Sequence, residues 1–316
     1  MTIQKLVGNI NTFKSKEFKK ERKGNGVSKD FIIEEEIGKG SNNKVYRGVH
    51  KNGDVVAIRF PRRKSDTENY DNAKYEFLYT MLASTLNVAP DLYDAWYVKH
   101  RTNDKRSGLH FVSKYYDIDL QSAVEQEKYM IIDNIFDIEE QINHKLITLA
   151  NNYILTFDLK PSNMVYDFDK KDLRFIDFGR EFCERNTFMQ KNDEEFPVTK
   201  LIKNISNNNT DESENEGDEL YKELLFGVML VQLSANVTFY LYSSRHVLNL
   251  SKHERDVLNF TKTSTNNFLE NKRGRFIKLL KQVLRHEDIK KVNKHYLGRR
   301  NSGTQRVLRL ASGIEP

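Results

Sequence analysis

The stretch TFDLKPSNMVYDFDKKDLRFIDFGRE, Thr156 to Glu181, constrains this chain more than any other. Asp158 and Asn163 stand five positions apart in a proline-containing loop, and an apolar MVY run, a charged turn and an apolar RFI run follow. Asp177, Phe178 and Gly179 close the stretch. The order reads as loop, strand, turn, strand, loop. Phosphoryl transfer from a nucleotide asks little covalent chemistry of a protein, but it needs oxygen ligands for magnesium and a carboxylate to receive the proton of the attacking hydroxyl. Asp177, Asn163 and Asp158 have the residue types for those roles. A plain acidic β-hairpin is the alternative.

TFDLKPSN followed at this spacing by DFG resembles the catalytic core of a eukaryotic-type protein kinase. The resemblance implies a two-lobed α+β fold, with a small antiparallel β-rich lobe and a larger, mostly helical one. It puts Asp158 at the catalytic-base position and Lys160 at the lysine that steadies the transferring phosphate. Asn163 and Asp177 take the metal positions, and ATP and Mg2+ are the expected cofactors. Lys160 within DLKPSN is similar to the serine/threonine class rather than the tyrosine class. Thr156 and Phe157 stand where the family pattern has His and Arg.

The resemblance extends to the N-terminal side. FIIEEEIGKGSNNKVYRGVHKNGDVVAIRF reads as strand, glycine-rich turn, strand, Asn-Gly hairpin, strand. Gly38 and Gly40 match the first two glycines of the family's phosphate-covering loop, Asn43 takes the place of the third, and Val45 falls where a valine packs on adenine. VVAIR then corresponds to V-A-I-K, so Ala57 lines the nucleotide pocket and Arg59 replaces the lysine that holds the α and β phosphates. Arg keeps the charge but is planar and favours forked hydrogen bonding. Lys44 is the weaker substitute, because side chains alternate along a strand and Val45 should hold the nucleotide face. NAKYEFLYTMLAST has helical spacing, and its Glu76 is the expected partner of Arg59. Ser113 is expected to guard the rear of the pocket, with Lys114 to Tyr116 forming a hinge whose backbone binds adenine. Asp119 would accept from the ribose hydroxyls or cap the helix beginning near Leu120. The helical stretch Ile135 to Tyr153 leads to the catalytic loop.

At 316 residues and a formal net charge of +6, the chain suits one two-lobed catalytic unit and leaves room for an acidic or nucleic-acid-associated protein substrate. A single cysteine, Cys183, excludes an intramolecular disulfide framework and fits a reducing, intracellular compartment. Cys183 reads as a bland small residue rather than a reactive thiol beside the nucleotide. The uncharged run Leu224 to Ser244 is long enough to cross a bilayer, but Gln232, Ser234, Asn236 and Thr238 interrupt it, so it reads as a buried helix.

Four parts are expected: a basic arm over 1–30, a small lobe over 31–116, a large lobe over 117–295 and a basic tail over 296–316. Within the large lobe, residues 181–219 read as a flexible acidic loop in the place of an activation segment. The A-P-E triplet that usually closes that segment is absent, with Pro197 at best a remnant. Loss of the Arg before Asp158 agrees with this, since that Arg ordinarily binds a phosphate on the segment. From Arg245 onward there are about three basic residues for each acidic one. Within that region Phe276, Leu279, Leu280, Val283 and Leu284 fall on one helical face.

The expected activity is transfer of the γ-phosphate of ATP to a protein hydroxyl. A pseudokinase, keeping nucleotide binding or scaffolding without turnover, is the first alternative. A small-molecule phosphotransferase of related fold is the second.

Overall fold

The computed structural model describes residues 30–39, 43–61, 70–98, 108–126, 133–179, 183–185, 197–209, 214–243 and 260–285. Most of the expected basic arm, Gly40, the turn between the third pair of strands and the basic tail lie outside them. The described residues fall into two compact units, one running to Tyr116 and taking in the stretch 175–179, the other holding the rest.

The first unit is built on one antiparallel sheet of β1 (Phe31–Lys39), β2 (Asn43–His50), β3 (Val55–Pro61), β4 (Leu92–Val98) and β5 (Gly108–Lys114), in the order β1-β2-β3-β5-β4. The β2–β3 hairpin turns at Asn52 and Gly53, where Gly53 takes a φ of 93° that a side chain would oppose. Strand alternation divides β3 between two faces. Val56, Ile58 and Phe60 pack with Trp96 and Val112 into one core. Arg59 points to the opposite face, where helix α1 (Tyr70–Thr85) lies, and there Phe77 of the helix packs with Phe111 of β5.

The second unit is mostly helical. Helix α2 (Leu120–Gln126) follows the two-residue strand β6 (Ile118–Asp119), and α3 (Ile135–Asn151) buries Ile135, Ile138, Ile142, Leu146 and Leu149 at helical spacing. Strand β7 (Ile154–Thr156) then leads into the proline-containing loop, whose Pro161–Asn163 form a 3-10 turn. The hairpin read from the sequence is present as β8 (Met164–Asp167) and β9 (Asp172–Phe175), in a sheet of order β6-β8-β9. Gln141 of α3 clamps it: its amide nitrogen donates to the Lys171 carbonyl at 2.7 Å and its oxygen accepts from the Leu173 N–H at 2.9 Å.

Two segments differ from the sequence reading. Residues 183–185 form strand β10 (Cys183–Arg185), paired antiparallel with β7. The expected acidic loop over 181–219 is helical at its far end, as α4 (Pro197–Asn207) and the first turns of α5 (Glu214–Ser243). Val198, Ile202 and Ile205 recur at helical spacing and are buried. Pro197 has a local explanation as the first residue of α4, where a missing N–H costs nothing.

Helix α5 carries the uncharged run. Val228 to Ser234 are buried without interruption, the pattern of a helix surrounded on all sides. It packs against α3, α4, β7, α6 (Phe260–Asn271) and α7 (Arg275–Leu284). No helix among the described residues is long and apolar enough to cross a membrane. Helix α7 buries Phe276, Leu279, Leu280, Val283 and Leu284, the face expected from its sequence.

Candidate active site

In the first unit, strand register sets the candidate residues in a row. Gly38 pairs with Val45, Val45 with Arg59, and Arg59 with Phe111, so the row crosses β1, β2, β3 and β5 on one face. Ala57 lies on the same face one position along, opposite Ser113. A Cβ on Gly38 would meet Val45 at an ordinary 3.6 Å, so sterics within the sheet do not demand glycine there.

Arg59 Nη1 lies 2.5 Å from Glu76 Oε1, joining β3 to α1. Both side chains are largely enclosed. The guanidinium carbon also lies 5.1 Å from the Phe111 ring centroid. Lys44 is engaged elsewhere, with Nζ 2.5 Å from Glu36 Oε2. That agrees with alternation placing it away from Val45.

At the end of β5 the Lys114 ammonium sits 5.1 Å above the ring of Tyr116, which is buried. The N–H groups of Lys114 and Tyr115 donate to the carbonyls of Asp91 and Val55. Asp177 also belongs to this unit, on the segment after β9 that begins with the Phe175 N–H donating to the Val88 carbonyl. Its carboxylate side chain is exposed and its φ is 69°, a left-handed conformation that Asp tolerates better than most residues. The neighbouring Phe178 is buried.

In the second unit, one loop gathers three of the expected residues. Lys160 Nζ donates to both oxygens of Asp158, at 2.8 and 3.0 Å. The Asn163 amide nitrogen donates to the Asp158 carboxylate at 2.8 Å and to its backbone carbonyl at 2.9 Å. Asp158 and Asn163 are buried, and the charged donor from Lys160 offsets the cost of placing a carboxylate there. Thr156 and Phe157, the replacements for His and Arg, are buried as well.

Sequence reasoning missed what holds this loop. The Asn236 amide of α5 donates to the Leu159 carbonyl at 2.5 Å, tying the loop to the central helix between Asp158 and Lys160. At the base of β7, Tyr153 adopts a φ of 60° and donates its hydroxyl to Asp218, while Lys222 lies 5.4 Å over its ring. Burial opposes the charge on Lys222, but hydrogen bonds to Asp218 and Glu219 prevail and raise its pKa above the ordinary lysine range. The polar residues inside an apolar helical run were the available signal for Asn236.

Two further residues have defined local surroundings. Asp119 caps α2: one carboxylate oxygen accepts from the Ser122 N–H at 2.9 Å and the other from the Ser122 hydroxyl at 2.6 Å. Cys183 is buried on β10, and burial pushes its thiol pKa well up, which is the inert reading.

The sequence model of the family described as "Protein kinase domain" matches residues 31–293. The chain belongs to that family. Its fold is the two-lobed α+β fold of protein kinases, and the family implies use of ATP with a divalent metal ion. Cell division control protein 2 homolog C of Antirrhinum majus is 28% identical over 158 residues, which are 46% of this chain. The match spans 50% of that relative's length.

The donor types suit such a metal. In the second unit Asn163 commits its amide nitrogen to Asp158; in the first, Asp177 presents an exposed carboxylate. Both are hard oxygen donors of the kind Mg2+ takes together with phosphate oxygens and water. Among the described residues no group of three or more His, Cys, Asp or Glu forms an all-protein cage.

Proposed function

We propose that this chain is a serine/threonine protein kinase that transfers the γ-phosphoryl group of ATP to a protein hydroxyl with Mg2+. The observation that carries the reading is the hydrogen-bonded set of Asp158, Lys160 and Asn163 in one buried loop. Asp158 accepts the proton of the attacking hydroxyl, and Lys160 keeps positive charge beside the transferring oxygens. Asn163 and Asp177 would hold Mg2+, whose role when bound is to neutralise charge on the phosphates. In the first unit, Arg59 is the phosphate-facing cation and Glu76 its anchor. Val45 and Ala57 line the adenine side, Gly38 and Gly40 belong to the covering loop, and Lys114 to Tyr116 form the hinge. Asp119 accepts one bond from Ser122 at each oxygen, and the lone pairs that remain would take the ribose hydroxyls.

Lys160 supports the serine/threonine assignment. A net charge of +6 and the exposed cations Arg275, Lys278 and Arg285 on and beside α7 support an acidic or nucleic-acid-associated protein substrate in an intracellular setting. The test is transfer from radiolabelled ATP to a generic protein, followed by identification of the labelled amino acid. Label on serine or threonine, absent with Asp158→Asn, is the expected result; equal label with that variant contradicts the role of Asp158. A nucleotide-binding pseudokinase is the second reading. It is favoured by Arg59 standing in place of lysine, and nucleotide binding without transfer would establish it.

A further inference from the structure

We propose that Glu184 and Thr199 are positioning residues: their contact clasps β10 to α4 and so holds the Asp158 loop for phosphoryl transfer, an inference that rests on Asp158 being the proton acceptor. The hydroxyl of Thr199, a buried residue in the first turn of α4, donates to Glu184 Oε2 at 2.5 Å. Glu184 is the middle residue of β10, whose register pairs Cys183 with Thr156, Glu184 with Leu155 and Arg185 with Ile154. Thr156 precedes Asp158 by two positions, so what steadies β10 also steadies the approach to the carboxylate.

The strand pairing needs such support. The sheet of β7 and β10 has two strands of three residues each, and a ribbon of that size is marginal by itself in water. Side chains of β10 supply the rest. Arg185 Nε donates to the Asn152 carbonyl at 3.1 Å, beside the start of β7, and Glu184 reaches α4. Helix α4 is a firm anchor: Val198, Ile202 and Ile205 are buried, and past its far end the Arg275 guanidinium of α7 donates to the Asn209 carbonyl at 2.5 Å. The Glu184 carboxylate meets α4 in its first turn, where the helix dipole favours negative charge. With Phe157 in the place of a phosphate-gathering Arg, this anion belongs to the chain itself and is present without modification.

The experiment compares Thr199→Val, Thr199→Ser and Glu184→Gln in the full chain. It reads transfer from radiolabelled ATP, ATP·Mg2+ affinity, and amide hydrogen exchange over residues 154–158 and over the middle of α5. Thr199→Val keeps the side-chain shape and removes the donor; Thr199→Ser keeps the donor. Thr199→Val should slow transfer about tenfold, the scale of losing a hydrogen bond to a charged group, and leave affinity within about twofold of the parent. Exchange over 154–158 should quicken while α5 stays at the parent rate, a local opening that a general loss of stability would not give. Thr199→Ser should restore both readouts, and Glu184→Gln, which keeps a neutral acceptor, should fall between. Parent-like transfer or parent-like exchange over 154–158 in Thr199→Val would overturn the inference. So would exchange that quickens equally in both regions, which assigns the bond to general stability. Should Thr199→Val fail to fold, Glu184→Gln carries the test, and unchanged exchange over 154–158 again overturns the clasp. Asp158→Asn reports on the underlying reading: if it transfers like the parent, or if the parent itself does not transfer, that reading fails and the exchange data alone judge the clasp.

Discussion

The Arg59 contact in the first unit and the Asp158 loop in the second place charged groups in enclosed positions by different means. Around Asp158 the donors are aligned, and Lys160 and Asn163 come from the same short loop. Around Arg59 the partners come from a helix and a neighbouring strand, and the contact combines charge with a ring face. The difference teaches how much substitution each tolerates. A loop that carries its own donors needs its residues unchanged, because removing one leaves a buried polar group unsatisfied. A cation set by surrounding elements can change type when those elements change with it, and Arg59 with Phe111 fits that description.

The sharpest way to break the comparison is at Arg59. If the first unit is fitted to a guanidinium, Arg59→Lys should lower turnover, by about tenfold or more, since a displacement near 1 Å at a reacting centre can cost about a hundredfold. Steady-state kinetics checks this, and faster turnover with lysine would show a pocket of the ordinary lysine type. Next in size is a test of the sheet that carries Arg59. A Cβ at Gly48 would lie 2.7 Å from the Ile32 carbonyl oxygen and 2.7 Å from Ile58 Cδ1, so β1 and β3 leave no room for it. Gly48→Ala should therefore destabilise the first unit by about 1–3 kcal/mol, read by chemical denaturation.

A comparable effect in the second unit is pH-dependent. Lys145 of α3 is buried near Arg174 and Asp172. Burial, reinforced by Arg174 and partly opposed by Asp172, lowers its pKa from 10.5 to about 8. A lysine with a depressed folded-state value costs stability while it must be protonated, fully so below pH 8, and the cost fades as pH rises toward 10.5. Relative to Lys145→Met, the parent should gain up to about 3 kcal/mol between those values. Denaturation curves across that interval test it, and a parent that loses ground as pH rises would reverse the sign. The smallest expected effect is none. With Phe157 buried where a phosphate-gathering Arg would stand, phosphatase treatment should leave activity unchanged. A large loss, restored by rephosphorylation, would contradict that reading.

What was legible in the sequence follows the same division. DLKPSN and DFG are local patterns, so the loop, the β8–β9 hairpin and the residues of the Asp158 cluster can be read from the amino-acid order alone. The Arg59–Glu76 contact was legible through the family pattern, whereas the Phe111 contact depends on β3–β5 register, which no local pattern states. Asn236 was legible only as a polar interruption, because its partner at Leu159 is distant in sequence. Helix α4 was legible in the helical spacing of Val198, Leu201, Ile202 and Ile205, and reading residues 181–219 by their acidic and polar composition passed over it.

The most direct measurement is paired: ATP·Mg2+ affinity and phosphoryl-transfer rate for Asp158→Asn and Arg59→Ala beside the parent. The two regions should separate cleanly. Asp158→Asn should lose transfer by about a hundredfold or more while affinity stays within about twofold, the pattern of a proton acceptor used only in the chemical step. Arg59→Ala should weaken both quantities. Undiminished transfer by Asp158→Asn, or Arg59→Ala equal to the parent in affinity and rate, would contradict the account.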